Sequence, residues 1–147
     1  MLDVHLLEGD LDAVAAHVAF MAAHGARGAV VSFTGLVRAD GGTEALYLDW
    51  YPGMTEASLR EIGDAAMTRF APSAAVILHR CGEVLAGQPI VFVAVASPHR
   101  RAAFEAADYM MDRLKSEAAL WKREVTADGG RWVEPRPEDA ADLRRWK

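Results

Sequence analysis

Residues 90–101 read Ile90-Val91-Phe92-Val93-Ala94-Val95-Ala96-Ser97-Pro98-His99-Arg100-Arg101. Ile90 to Ala96 is apolar at every position, so it predicts a central strand buried on both faces. The Gly87-Gln88-Pro89 turn leads into it. Ser97 predicts a helix N-cap and Pro98 the first helical residue, because proline has no N–H to lose there. Phe104, Ala107, Met111, Leu114 and Ala118 then recur at helical spacing. His99, Arg100 and Arg101 therefore fall in the first turn of a long helix. Exposed cations at that end are disfavoured by roughly 0.3–1 kcal/mol each. A bound anion would offset this cost by meeting free N–H groups and basic side chains together. The competing reading is a solvated helix start in which Glu105 pairs with Arg101.

The remaining elements follow outward from this junction. Val4 to Leu7 predicts a short strand, and Asp10 predicts the cap of a helix with Leu11, Val14, Ala15, Val18 and Met21 facing the core. Gly25 and Gly28 end that helix, and Ala29 to Val37 predicts a strand running into Arg38. A turn at residues 39–43 leads to Ala45–Tyr51, where Leu46, Leu48 and Trp50 alternate with Tyr47, Asp49 and Tyr51. Thr55 predicts the cap of a helix that buries Leu59, Ile62, Ala66 and Phe70 and stops at Pro72. Ala75 to Cys81 predicts a strand, Gly82 a turn, Trp132-Val133-Glu134 a last strand, and Glu138 to Trp146 a terminal helix. Together these elements predict an α+β fold of two layers with a mostly antiparallel sheet.

At 147 residues one domain spanning 1–147 is expected, with 52% hydrophobic and 25% charged residues in the globular range. The net charge of −5 argues against a nucleic-acid partner, so the basic cluster suits a small anion better than a polymer. A single cysteine, Cys81, permits no intrachain disulfide and predicts a cytoplasmic setting. Cys81 reads as a small buried hydrophobe rather than a nucleophile. No apolar run is long enough for a membrane span, and the segment from Met1 to His5 lacks the pattern of a signal peptide.

Lys115 and Lys122 are seven residues apart, two turns along one face if the helix continues that far. Lysines against apolar surface lose hydration, their pKa falls, and they become usable as acid, base or nucleophile. The bland alternative is two solvated lysines whose stems cover apolar surface. His79 has no carboxylate or second histidine at metal-ligand spacing and reads as structural. No phosphate-loop fingerprint, nucleophile elbow or metal set is present in the sequence, and no cofactor is expected.

Seven motifs in order carry a resemblance. They are Phe33-Thr34-Gly35-Leu36-Val37-Arg38, Tyr51-Pro52-Gly53-Met54-Thr55, His79-Arg80-Cys81-Gly82-Glu83 and Ser97-Pro98-His99-Arg100, followed by Met111-Asp112-Arg113-Leu114-Lys115, Trp121-Lys122-Arg123-Glu124 and Arg131-Trp132-Val133-Glu134. From about Gly28 to Glu134 the chain resembles the large, catalytic subunit of molybdopterin synthase, the MoaE family. The resemblance implies an α/β-hammerhead-like fold. It also implies a central homodimer, with a small ubiquitin-like sulfur-carrier subunit at each end to complete a heterotetramer. That subunit inserts a Gly-Gly tail bearing a thiocarboxylate. The implied substrate is cyclic pyranopterin monophosphate, which receives two sulfurs to form the molybdopterin dithiolene in molybdenum cofactor biosynthesis.

By the same resemblance Arg38, His99 and Arg100 match substrate- and phosphate-binding positions. Lys115 and Lys122 match the catalytic lysines, and Arg123 and Glu124 belong to the same substrate-contacting segment. The aromatic residues Tyr47, Trp50 and Tyr51 offer more large aromatic surface than one half-buried strand needs, which predicts an interface, and the resemblance implies that a second copy fills it. The competing function is a non-catalytic homodimeric binder of a phosphorylated metabolite. A small phosphodiester hydrolase is weakened by the absence of metal-ligand motifs.

Overall fold

A computed structural model describes residues 1–147. The first sheet contains β1 (Leu2–Leu7), β2 (Ala29–Leu36), β4 (Ala74–Arg80) and β6 (Pro89–Ser97) in the order β1-β4-β6-β2. The second contains β3 (Ala45–Trp50), β5 (Gly82–Leu85), β7 (Leu120–Thr126) and β8 (Gly129–Val133) in the order β5-β3-β7-β8. Only the β1–β4 pair is parallel. The expected α+β class with mostly antiparallel strands is what the chain forms, and its strands divide between two sheets.

The β6 strand occupies the interior position expected of it, and Val93, Ala94, Val95 and Ala96 are fully buried. Its alternate side chains serve two cores. Val91, Val93 and Val95 join Ile77, Leu59, Ile62 and Met110 under helices α2 (Met54–Phe70) and α3 (Arg100–Glu117). Phe92, Ala94 and Ala96 join Leu11 and Phe20 under helix α1 (Ala13–His24) on the opposite face. Both faces of the strand are thus dry, which explains its lack of polar positions.

Several boundaries differ from the sequence reading. Ser97 is the last residue of β6, paired with Ala29, so α3 starts later than expected, with His99 at its N-cap. The buried stripe of α3 is Ala103, Ala106, Ala107, Met110 and Leu114, whereas Phe104 points outward at 58% exposure. Small alanines let the helix approach the sheet more closely than a phenylalanine would. In α1 the cap is Asp12, whose Oδ1 accepts from the Ala15 N–H at 3.0 Å, and Asp10 instead pairs with Arg80. Phe20 packs inward while Val14, Val18 and Met21 face out. Because α1 is apolar around most of its circumference, periodicity alone leaves its phase open.

The Gly82 turn also begins a strand, β5, which pairs with β3. Above all, the helix expected to carry both lysines stops at Glu117, and Leu120 opens β7. Gly53, not Thr55, occupies the N-cap of α2, and its N–H donates to Glu56 Oε1. Helix α4 (Pro137–Arg144) closes the chain against α3, where Trp146 packs edge-on to Phe70 and Tyr109. No helix is long and apolar enough to cross a membrane.

Candidate active site

The break between α3 and β7 is built by α2. Thr55 Oγ1 accepts from the Tyr51 N–H at 2.9 Å and donates to the Ala119 carbonyl at 2.7 Å. Ser58 Oγ accepts from the Ala119 N–H at 3.0 Å and donates to the Thr55 carbonyl. Both polar groups of Ala119 are therefore satisfied outside a helix, which makes the departure from helical geometry stable. Beyond it, β7 pairs along β3 with Lys122 opposite Leu48.

This turn brings Lys115, in the last turn of α3, and Lys122, on β7, to the wall of one cavity of about 70 Å³. Phe33, Gly35 and Leu36 of β2 contribute to the lining, together with His79, Ile90 and Leu114. The expectation that the lysines share a helical face is corrected, but they do share a site. A Cβ at Gly35 would lie 2.7 Å from Val91 Cγ1, so only glycine lets β2 lie this close to β6 here.

The electrostatics of the cavity are set by burial. Lys122 is partly buried, and desolvation first, then the charge of Lys115, hold its amino group below the ordinary lysine range. Asp139 of α4 opposes that shift. A lysine so placed exchanges its proton more readily than a solvated one. His79 is 6% exposed, and burial pulls its pKa down to about 4, with Lys122 and Lys115 adding to the effect. The sequence reading treated His79 as structural; its ring lines the lysine cavity. Asp139, 8% exposed, is a second residue that the sequence reading missed. It anchors Arg136 through both a backbone and a side-chain hydrogen bond.

The other candidate residues lie elsewhere. Arg38 is exposed just beyond β2, and the backbone bonds of Val37 to Gly87 and Gln88 hold that end of the strand. His99 and Arg100 are exposed at the opposite end of α3 from Lys115. Fifteen residues of helix separate Arg100 from Lys115, a span of about 22 Å at 1.5 Å per residue. Arg123 alternates to the other side of β7, with its guanidinium 4.7 Å from the Tyr47 ring centre and 5.7 Å from that of Trp132. It lines an open groove with Asp49, Tyr51, Trp121 and Trp132 rather than the lysine cavity. Glu124 is engaged by Arg131 at 2.7 Å. Neither Arg123 nor Glu124 reaches the lysines.

Cys81 is fully buried, its thiol donates to the Leu7 carbonyl at 3.6 Å, and burial pushes its pKa up to about 11. It is held as a neutral thiol, the wrong form for a nucleophile.

The family model described as MoaE protein matches residues 7–117. This chain belongs to the MoaE family. A relative from Caulobacter vibrioides named molybdopterin synthase catalytic subunit is 50% identical over 129 residues, covering 87% of this chain and 86% of its own length. A relative of the same name from Escherichia coli is 49% identical over 122 residues, 81% of each chain. Among solved structures, the molybdopterin biosynthesis MoaE protein from Burkholderia ambifaria superposes with a TM-score of 0.84 at 40% identity, covering 99% of this chain and 98% of its own. The MoaE match includes the β2 segment, His79 and Lys115, whereas Lys122 and Asp139 lie beyond residue 117.

Proposed function

We propose that this chain is the catalytic large subunit of a molybdopterin synthase. It transfers sulfur from the thiocarboxylated C-terminus of a small ubiquitin-like partner to cyclic pyranopterin monophosphate, forming the dithiolene. The observation that carries this reading is the convergence of Lys115 and Lys122 on one largely apolar cavity in a chain of the MoaE family.

Both reactants are anionic, the tail through its thiocarboxylate and the substrate through its cyclic phosphate. A cationic, partly dry cavity receives the reacting ends of the two and turns sulfur transfer into a local event. Lys122, with its depressed pKa, is the proton-exchanging group, while Lys115 supplies fixed positive charge. Opening the cyclic phosphate and expelling oxygen both require protons at the leaving oxygens, the service such a lysine performs. Arg38, exposed at the β2 end of the molecule, is the phosphate ligand from the same chain. His99 and Arg100 lie too far along α3 for this cavity and serve the cavity of a second copy across a homodimer. One small subunit at each outer end makes a two-plus-two complex. Arg123 and Glu124 enter only as residues that fix β7, since their side chains are engaged elsewhere.

Sulfur comes from the partner, because the one cysteine of this chain is a buried thiol. A single unpaired thiol also suits the reducing cytoplasm, where we place the reaction. A non-catalytic binder of a phosphorylated metabolite would need the exposed basic cluster but not a pair of lysines in an apolar cavity. The test is to mix the protein with thiocarboxylated small subunit and the cyclic substrate and to assay the dithiolene. Binding of the substrate without product, in the presence of active partner, would favour the binder.

A further inference from the structure

The lysine cavity contains an unusual pairing of donors and acceptor. Its lining side chains are apolar except for Lys115, Lys122 and His79. The two lysines can only donate when charged. His79 is fixed in the complementary state. Its Nδ1 lies 2.8 Å from the Arg80 carbonyl, which can only accept, so Nδ1 carries the ring proton. Nε2 is then left with a lone pair and has no hydrogen-bond partner among the chain's other residues. The ring is held at this place by β4, where His79 pairs with Val91 of β6.

We propose that His79 is a positioning residue whose Nε2, unpartnered in the structure, accepts a hydrogen bond from the amino group of Lys122 when that flexible side chain turns across the shared cavity, and so aims that group at the reacting centre. This rests on the lysine chemistry proposed above, but the pairing joins two groups of one cavity wall and is testable in the protein without its reactants. Lys122 rather than Lys115 is the partner because Lys122 is the partly buried one, with less water to satisfy its donors, whereas Lys115 is exposed. A neutral acceptor suits the task better than a carboxylate. It satisfies the amino group without neutralising the positive field that the anionic reactants require.

The neutral state is secured by the same surroundings. Burial first, with the charges of Lys122 and Lys115 acting in the same direction and the Arg80 carbonyl opposing them, brings the His79 pKa down to about 4. Asp139 of α4 is the acidic group that acts on Lys122, opposing its shift. Near neutral pH His79 is therefore an acceptor and never a competing cation.

Two substitutions separate this role from a merely structural one. His79→Asn keeps a donor close to the Nδ1 position but has no atom at the ε position, whereas His79→Gln reaches the ε position with an amide oxygen. An acceptor stabilises the ammonium form, so its loss lowers the lysine pKa. The whole protein, labelled at lysine side chains, is titrated by NMR, and Lys122 is assigned by its loss in Lys122→Ala. The Lys122 midpoint should fall in His79→Asn by about one unit, a tenfold change in its proton affinity, and return in His79→Gln. In the reconstituted reaction kcat should fall roughly tenfold in His79→Asn, with KM changed far less, and recover in His79→Gln. An unmoved Lys122 titration in His79→Asn, or nitrogen shifts showing the proton on Nε2, would overturn the assignment. Lack of dithiolene formation by the unaltered protein would instead overturn the proposed reaction and leave the titration result standing.

Discussion

The Thr55 hydroxyl donates to the Ala119 carbonyl at 2.7 Å, across 64 residues of chain, and this bond holds the point where α3 gives way to β7. Thr55 is fully buried, so no water can replace the lost partner. Thr55→Val keeps the shape but leaves the Ala119 carbonyl and the Tyr51 N–H unpaired. The expected cost is about 1–3 kcal/mol per orphaned group. Because the same junction orients Lys115 and Lys122, turnover should fall further than the unfolded fraction explains. Denaturant melts run beside the dithiolene assay check both.

Lys115→Ala and Lys122→Ala should each lose on the order of 10²–10⁴ in rate while remaining folded, the range for proton transfer and charge stabilisation. Removing Lys122 should flatten the pH dependence of kcat more than removing Lys115, since Lys122 has the depressed pKa. Near wild-type turnover in either variant would remove that lysine from the chemistry.

The two strand–helix units around β6 were legible because their apolar patterns are long and unambiguous, and the α2 face (Leu59, Ile62, Ala66) was read correctly. The start of β7 was not. Residues 115–122 continue a helix-compatible pattern, and what ends the helix is a pair of hydroxyls some 60 residues earlier in the sequence. The lysines were found by residue type and resemblance, yet their meeting depends on that remote contact. His79 and Asp139 were missed for a related reason. Each is an isolated polar residue in its own segment, and each gains a role only when β4 and α4 bring it toward Lys122. In α1 the periodicity was correct and the phase was wrong, because alanine and valine offer two apolar stripes and only packing of Phe20 selects between them.

The depressed pKa of His79 predicts a specific acid sensitivity. The unfolded chain takes up the histidine proton near pH 6.5, whereas the native state resists it until about pH 4. Between these values the unfolded state binds more protons, so stability declines as pH falls, and the decline ends below the folded pKa. The full effect is on the order of 3 kcal/mol. His79→Gln has nothing to titrate, so the stability difference between it and the unaltered protein should change across pH 6.5 to 4 and be constant outside that window. Parallel urea melts measure it.

Cys81→Ala should retain turnover. The thiol is buried and neutral, on the carbonyl of Leu7, and supplies no sulfur to the product. The substitution should cost roughly 0.5–3 kcal/mol of stability, as a small deletion in packed surroundings does. Loss of turnover in a folded, partner-binding variant would reverse the division of labour in which the small subunit carries the sulfur.

His99 and Arg100 stand at the far end of α3 from Lys115, about 22 Å away along the helix axis. A single small substrate cannot touch both ends within one chain. If His99 and Arg100 bind its phosphate, the cavity they serve is that of the second copy in a homodimer. Arg100→Ala and Lys122→Ala homodimers should then each be impaired, the first mainly in substrate binding by roughly ten- to a hundredfold. In a mixed dimer the two lesions fall in the same cavity on one side, and the other cavity receives Lys122 from one chain and Arg100 from the other. Mixing the two variants should restore part of the activity, up to half of the wild-type rate per dimer containing one of each. Mass spectrometry of the intact complex establishes that subunits have exchanged. Exchange without recovery would place every substrate contact within one chain and remove His99 and Arg100 from the site.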